Sequence, residues 1–95
     1  MFTIYDKKGF TVLLTLDDES LQQLKLSGVN LENANLVQYN LSYADLSKAN
    51  LKNADLRLAN LDHAKLDGAD LSGADLTGAS LNNTSLINAV LPLKI

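Results

Sequence analysis

The sequence predicts an all-β solenoid, a chain that coils repeatedly around one narrow axis. Three observations carry that prediction. Leucine stands at 26, 31, 36, 41, 46, 51, 56, 61, 66, 71, 76, 81, 86 and 91, a spacing of five without an exception. Two residues before most of these leucines stands an alanine: Ala34, Ala44, Ala49, Ala54, Ala59, Ala64, Ala69, Ala74, Ala79 and Ala89. Between alanine and leucine the residue is usually polar and short, as in Asn30, Asn35, Asp45, Asn50, Asp55, Asp70 and Asp75. The unit reads Ala-(Asn/Asp)-Leu-X-X over residues 24–91, and internal repetition of this kind decides an architecture before any other signal does.

A helix cannot serve this pattern. Five residues advance ~500° on a helix of 3.6 residues per turn, so successive leucines would step ~140° and ring the axis. A long straight strand fails as well, because an odd spacing sends alternate leucines to opposite faces. A short extended piece that turns once per repeat satisfies both. Within each piece alanine and leucine share one face and the residue between them points out. The two residues after each leucine make the corner. The second of them is Gly28, Asn33, Asn53, Gly68, Gly73, Gly78, Asn83 or Asn88 in eight repeats, types that accept positive φ at low cost. Leucine and alanine therefore line the interior, and alanine is small because backbones approach closely there.

Runs such as Ala44-Asp45-Leu46-Ser47-Lys48, Ala54-Asp55-Leu56-Arg57-Leu58 and Ala69-Asp70-Leu71-Ser72-Gly73 resemble the A(D/N)LXX signature of the pentapeptide-repeat family. The resemblance covers residues 24–91. It implies a right-handed quadrilateral parallel β-helix with four pentapeptides per coil, about three and a half coils for fourteen repeats. At the ~4.8 Å spacing of parallel strands such a rod is only ~17 Å tall. Sides and handedness come from the resemblance, since periodicity alone fixes neither.

The flanks divide the chain into a cap at 1–23, the repeat body at 24–91 and a tail at 92–95. Phe2-Thr3-Ile4-Tyr5 and Phe10–Leu16 have strand composition, and Asp6-Lys7-Lys8-Gly9 between them suits a hairpin turn. Asp17 or Asp18 is expected to cap a short helical turn through Leu21 and Leu24. This hairpin and short helix cover an open strand edge, as repeat arrays require of their terminal units; the functional alternative is that the hairpin offers its edge to another chain. Larger residues replace alanine at Leu24, Val29, Tyr39 and Thr84. The first three imply a wider first coil, with the Tyr39 ring either filling that end or swinging outward. At the other end Ile87, Val90, Leu93 and Ile95 turn the outward positions apolar, and Pro92 removes a backbone donor. This tail either caps the last coil or buries itself in an end-to-end homodimer of the kind the family contains, and capping is the favoured expectation.

Composition bounds the function. The chain of 95 residues has no cysteine and one histidine, His63, so neither a disulfide nor an ordinary zinc cluster is expected. No cofactor is expected. The start lacks the basic-then-apolar order of a signal peptide, and no apolar run has the length of a membrane span, which together lead to the expectation of a cytoplasmic protein with no membrane partner. A net charge of −3 lacks the basic footprint of nucleic-acid binding. His63 beside Asp62 suggests acid–base chemistry at first sight, but adjacent residues point differently, no nucleophile is placed against them, and a convex rod has no deep pocket. An enzyme is not expected.

With four repeats per coil, residues twenty apart stack in columns. One column is Tyr43, His63 and Asn83, and a neighbouring face carries Arg57 and Leu58. These five form the candidate partner patch, against the alternative of scattered solvated side chains. The leading reading is a non-enzymatic structural scaffold or protein–protein interaction module with an unidentified protein partner. The resemblance also implies a second reading, a DNA-mimicking modulator of a type II topoisomerase such as gyrase. Mimicry needs length and a dense negative field, and Lys48, Lys52, Arg57 and Lys65 dilute the acids of this short rod.

Overall fold

A computed structural model of the chain describes residues 2–17 and 23–93. Two strands, β1 (Phe2–Tyr5) and β2 (Val12–Leu16), form an antiparallel hairpin in which Phe2 pairs with Leu16, Thr3 with Thr15, Ile4 with Leu14 and Tyr5 with Val12. The second strand begins two residues later than expected. Asp6 is the cause: its Oδ1 accepts the N–H groups of Phe10 (3.0 Å) and Thr11 (3.1 Å), drawing both into the turn. Phe10 is left 88% exposed. The expected helical turn falls largely on residues 18–22, outside the described residues, and no helix occurs among those described.

The repeats make a β-solenoid. Each contributes one residue to an isolated parallel bridge, and every such bridge joins residues twenty apart, from Lys25–Asp45 to Asp70–Val90. Around each bridge the leucine N–H donates forward, as in Leu31 to Asn50 O (2.7 Å), and the paired residue donates back, as in Asn50 to Val29 O (2.9 Å). Within a repeat the leucine carbonyl accepts the N–H three residues on, as in Ala54 to Leu51 (3.1 Å). This closes a turn whose third residue has positive φ, the requirement of a type II turn.

Where asparagine or aspartate precedes the leucine, it has a second duty besides pointing outward. Its Oδ1 accepts the N–H two residues on at Asn30, Asn35, Asn40, Asp45, Asn50, Asp55, Asn60, Asp70 and Asp75. A short carboxylate or carboxamide is the side chain that reaches this donor, which is why the position alternates between the two types. Ionised members gain most. Hydrogen bonds from Ser47, Ser72 and Thr77, hydroxyl first and then N–H, hold the carboxyls of Asp45, Asp70 and Asp75 below the usual value.

The interior is apolar and narrow. Leu31 to Leu71 along the repeat are fully buried, and so, to within 1%, are the alanines from Ala34 to Ala69. The hairpin sits against the first coil: Asp6 bridges Ala34, Asn35 donates to Tyr5 O (2.9 Å), and Ile4 is buried in the core. Tyr39 turns inward here. Its ring meets Phe2 edge-on with centroids 5.3 Å apart, and burial raises its phenol above the usual value. Leu24 and Val29 also pack partly buried against the core. Thr84 keeps its interior place by donating Oγ1 to Leu61 O at 2.7 Å.

Candidate interaction surface at the turn corners

Stacking at twenty residues brings turn corners into columns, so the corner residues set the outer surface. The third residue of each turn has positive φ throughout the repeat. Glycine and asparagine fill eight of these places, but Gln38, Tyr43, Lys48, Leu58 and His63 have φ between 60 and 63° too. For such side chains this conformation is strained by ~1–2 kcal/mol each relative to the ordinary backbone regions. Tyr43, Leu58 and His63 are bulky and exposed, so the fold holds them outward where asparagine or glycine would sit with less strain.

Tyr43 and His63 come together. Their rings are stacked, with centroids 4.6 Å apart and planes within 8°, the spacing the backbone ladder imposes through Tyr43 N to Asp62 O (3.0 Å). Asn83 occupies the next corner of the column, following the bond from His63 N to Asn82 O (2.9 Å). Arg57 and Leu58 stand on the preceding corner, separated from this column by the segment 59–61. The two corners thus flank one face, whose outward residues Asn40, Asn60 and Ser80 carry no charge.

Each corner side chain is fixed differently. Arg57 donates Nε to Asp55 Oδ1 (2.8 Å) and Nη2 to Asp55 Oδ2 (2.7 Å), a bidentate pair that lowers the Asp55 carboxyl and raises the guanidinium. Leu58 lies over Gly78 of the following coil, where an added Cβ would come within 2.7 Å of its Cδ2. Asp62 is committed elsewhere than to His63: its Oδ1 accepts Ser80 Oγ and the N–H of Asn82 at 2.9 Å, and these bonds, the hydroxyl first, depress its carboxyl.

The second surface of interest is the far end. Ile87, Val90 and Leu93 are all exposed, so the described tail does not fold these side chains over the coil; Ile95 lies outside the described residues. A shallow recess of about 300 Å³ lies between hairpin and first coil, lined by Asp6, Lys7, Lys8 and Asn33. Among the described residues no three or more His, Asp or Glu side chains are grouped so as to hold a metal ion, and no helix is long and apolar enough to cross a membrane. Sequence reasoning missed the roles of Asp62, Asp67, Ser80 and Ser85. The signal was present as two serines breaking the Asn/Asp column one coil after two acids.

Similarity to known proteins agrees with this geometry. The family model described as Pentapeptide repeats matches residues 20–57 and 54–91, with 8 copies. Among solved structures, the chain is similar to HetL, a pentapeptide repeat protein involved in heterocyst differentiation regulation in the cyanobacterium Nostoc sp. strain PCC 7120. That match has 40% identity and a TM-score of 0.75 over 80% of this chain and 35% of HetL. It is also similar to a pentapeptide repeat protein of the Arabidopsis thaliana thylakoid lumen, with 34% identity and a TM-score of 0.59 over 75% of this chain and 52% of the other. The chain therefore spans about a third to a half of the length of these neighbours. No curated protein matches it. By the extent of the family match and the pairing of its repeats, the chain belongs to the pentapeptide-repeat family.

Proposed function

We propose that the protein is a non-enzymatic scaffold that binds a protein partner through the face between its two decorated corners. The solenoid is read as right-handed and four-sided, with about three and a half coils. One observation carries the proposal: Tyr43, Leu58 and His63 occupy strained positive-φ corners although eight other repeats place glycine or asparagine there. Strain retained at exposed positions points to use of those positions. A Tyr–His stack, a leucine 57% exposed and an arginine already oriented by Asp55 supply apolar contact and directed hydrogen bonds around an uncharged floor, the makings of an interface centre.

The apolar positions Ile87, Val90 and Leu93 support an end-to-end homodimer through that end as a secondary contact, against a monomer. DNA mimicry gains no support over the main reading, because Arg57 and Lys52 pair with Asp55 and Asp70 on the surface and break up the negative field that mimicry needs. The test is capture of partners on the wild-type protein and on the triple variant Tyr43→Asn, Leu58→Asn, His63→Asn. Asparagine keeps the positive φ while removing the display. Loss of a partner by the triple variant, and its retention by a control carrying Lys48→Asn and Lys52→Asn, is the expected result; equal capture by all three proteins would overturn the assignment. Inhibition of gyrase supercoiling by the wild type would favour the mimic instead.

A further inference from the structure

In nine repeats each turn is capped from within, by the Oδ1 of its own asparagine or aspartate. Lys25 and Lys65 carry no acceptor at this place; Ser80 and Ser85 also depart from the rule, and there the donors are not abandoned. The N–H of Asn82 reaches Asp62 Oδ1 at 2.9 Å, and that of Ile87 reaches Asp67 Oδ1 at 3.0 Å. Both acceptors lie twenty residues earlier, on the coil before. The serines join in, since Ser80 Oγ donates to Asp62 Oδ1 and Ser85 Oγ to Asp67 Oδ1.

The carboxylate has therefore moved from the position before leucine to the position after leucine in the preceding coil, and a serine hydroxyl fills the vacated place. Val90 fits the same logic from the other side. Its repeat continues into Pro92, which has no N–H to cap. Side-chain bonds between coils occur elsewhere, at Ser27 to Ser47 O and Asn50 to Glu32, but neither supplies a turn cap. Thr84 adds a third clip across the same seam through Leu61 O.

We infer that Asp62 and Asp67 act as transferred turn caps that clip the segment 80–88 onto the coil at 60–68. Asp62 is in addition a positioning residue, because the clip that holds Asn82 sets Asn83 beneath His63 in the corner column. The consequence is a seam that carries, besides the backbone bonds every coil makes to the next, two turn caps supplied by the coil before it, whereas nine other turns cap themselves. That makes 80–88 a unit able to open separately from the rest, in the manner of local unfolding seen when bonds are few and specific. This inference stands apart from the proposed partner surface, since its readout needs no partner.

The test is amide hydrogen exchange on the whole chain. Asp62→Ala should speed exchange of the amides at 80–84 about five- to tenfold, the size of a lost turn cap, while amides at 46–56 keep their rates. Ser80→Asn in that background restores an internal cap and should return exchange to near the wild-type rate; Asp67→Ala and Ser85→Asn should behave alike for 85–88. Asp62→Asn, which keeps an acceptor oxygen, should change little. Unchanged exchange in Asp62→Ala, or failure of Ser80→Asn to restore it, would overturn the inference. Should Asp62→Ala not fold, folding of the Asp62→Ala, Ser80→Asn pair supports the transferred cap and its failure to fold refutes it.

Discussion

Gly28 and Gly78 separate two effects that a corner glycine usually confounds. Their φ angles are nearly equal, +74° and +73°, so alanine at either carries the same backbone penalty of ~1–2 kcal/mol. Their surroundings differ. A Cβ at Gly28 would have no atom within 4 Å, whereas one at Gly78 would lie 2.7 Å from Leu58 Cδ2. Relieving that contact requires the free end of the half-exposed Leu58 side chain to shift or leave its rotamer, which costs ~0.5–1.5 kcal/mol. Gly28→Ala should therefore lower stability by ~1–2 kcal/mol and Gly78→Ala by ~1.5–3.5 kcal/mol in urea unfolding followed by circular dichroism. In a Leu58→Ala background the excess at Gly78 should vanish, leaving the two substitutions alike. Equal effects in the wild-type background, or an excess that survives Leu58→Ala, would refute the packing of corner side chains onto the coil that follows.

Other consequences follow from the same interior and the same turns. Leu56, fully buried, should lose ~2–5 kcal/mol on change to alanine, as a cavity opens that a close-packed column cannot collapse. Ala59→Leu should destabilise by ~1–3 kcal/mol through overpacking, and a melting curve unchanged by it would remove Ala59 from the inward column. Asp45, Asp55, Asp62, Asp70 and Asp75 all titrate below the ordinary 3.8 when folded. A depressed folded value contributes stability in full above the unfolded value and loses it as pH falls through the folded one. Thermal melts should thus hold steady from pH 7 to 5 and drop below about pH 4; a steep fall between 7 and 5 would count against turn carboxylates as the acid-sensitive groups.

The leucine and alanine columns were legible because burial imposes one residue type at one spacing. The corners were legible only in part. Glycine and asparagine betray positive φ by their type, but Gln38, Lys48, Leu58 and His63 carry no such mark; only the spacing, read through every repeat, places them in the same conformation. Tyr39 could not be oriented from sequence because its neighbour, Phe2, comes from a hairpin 37 positions away in the chain. The start of β2 was misplaced because the Asp6 side chain competes for the amides of Phe10 and Thr11, a local bond that strand composition does not register. The transferred caps were hidden for a related reason. A break in the Asn/Asp column looks like loss until the coil pitch shows which residue lies above it, and that pitch was available only through resemblance.

Everything assigned to the surface rests on the twenty-residue pitch, since another pitch would assemble different columns and a different face. A chain without cysteine allows a direct test by introduced pairs. Lys65→Cys with Ser85→Cys joins positions bridged in parallel, which places their Cα atoms ~4.8 Å apart, within disulfide range. Lys65→Cys with Val90→Cys serves as the out-of-register control, because Val90 bridges Asp70 on the next side. Under mild oxidation the first pair should close within the monomer and the second should remain reduced. Closure of the second pair and not the first would contradict the stacking from which the candidate surface is built.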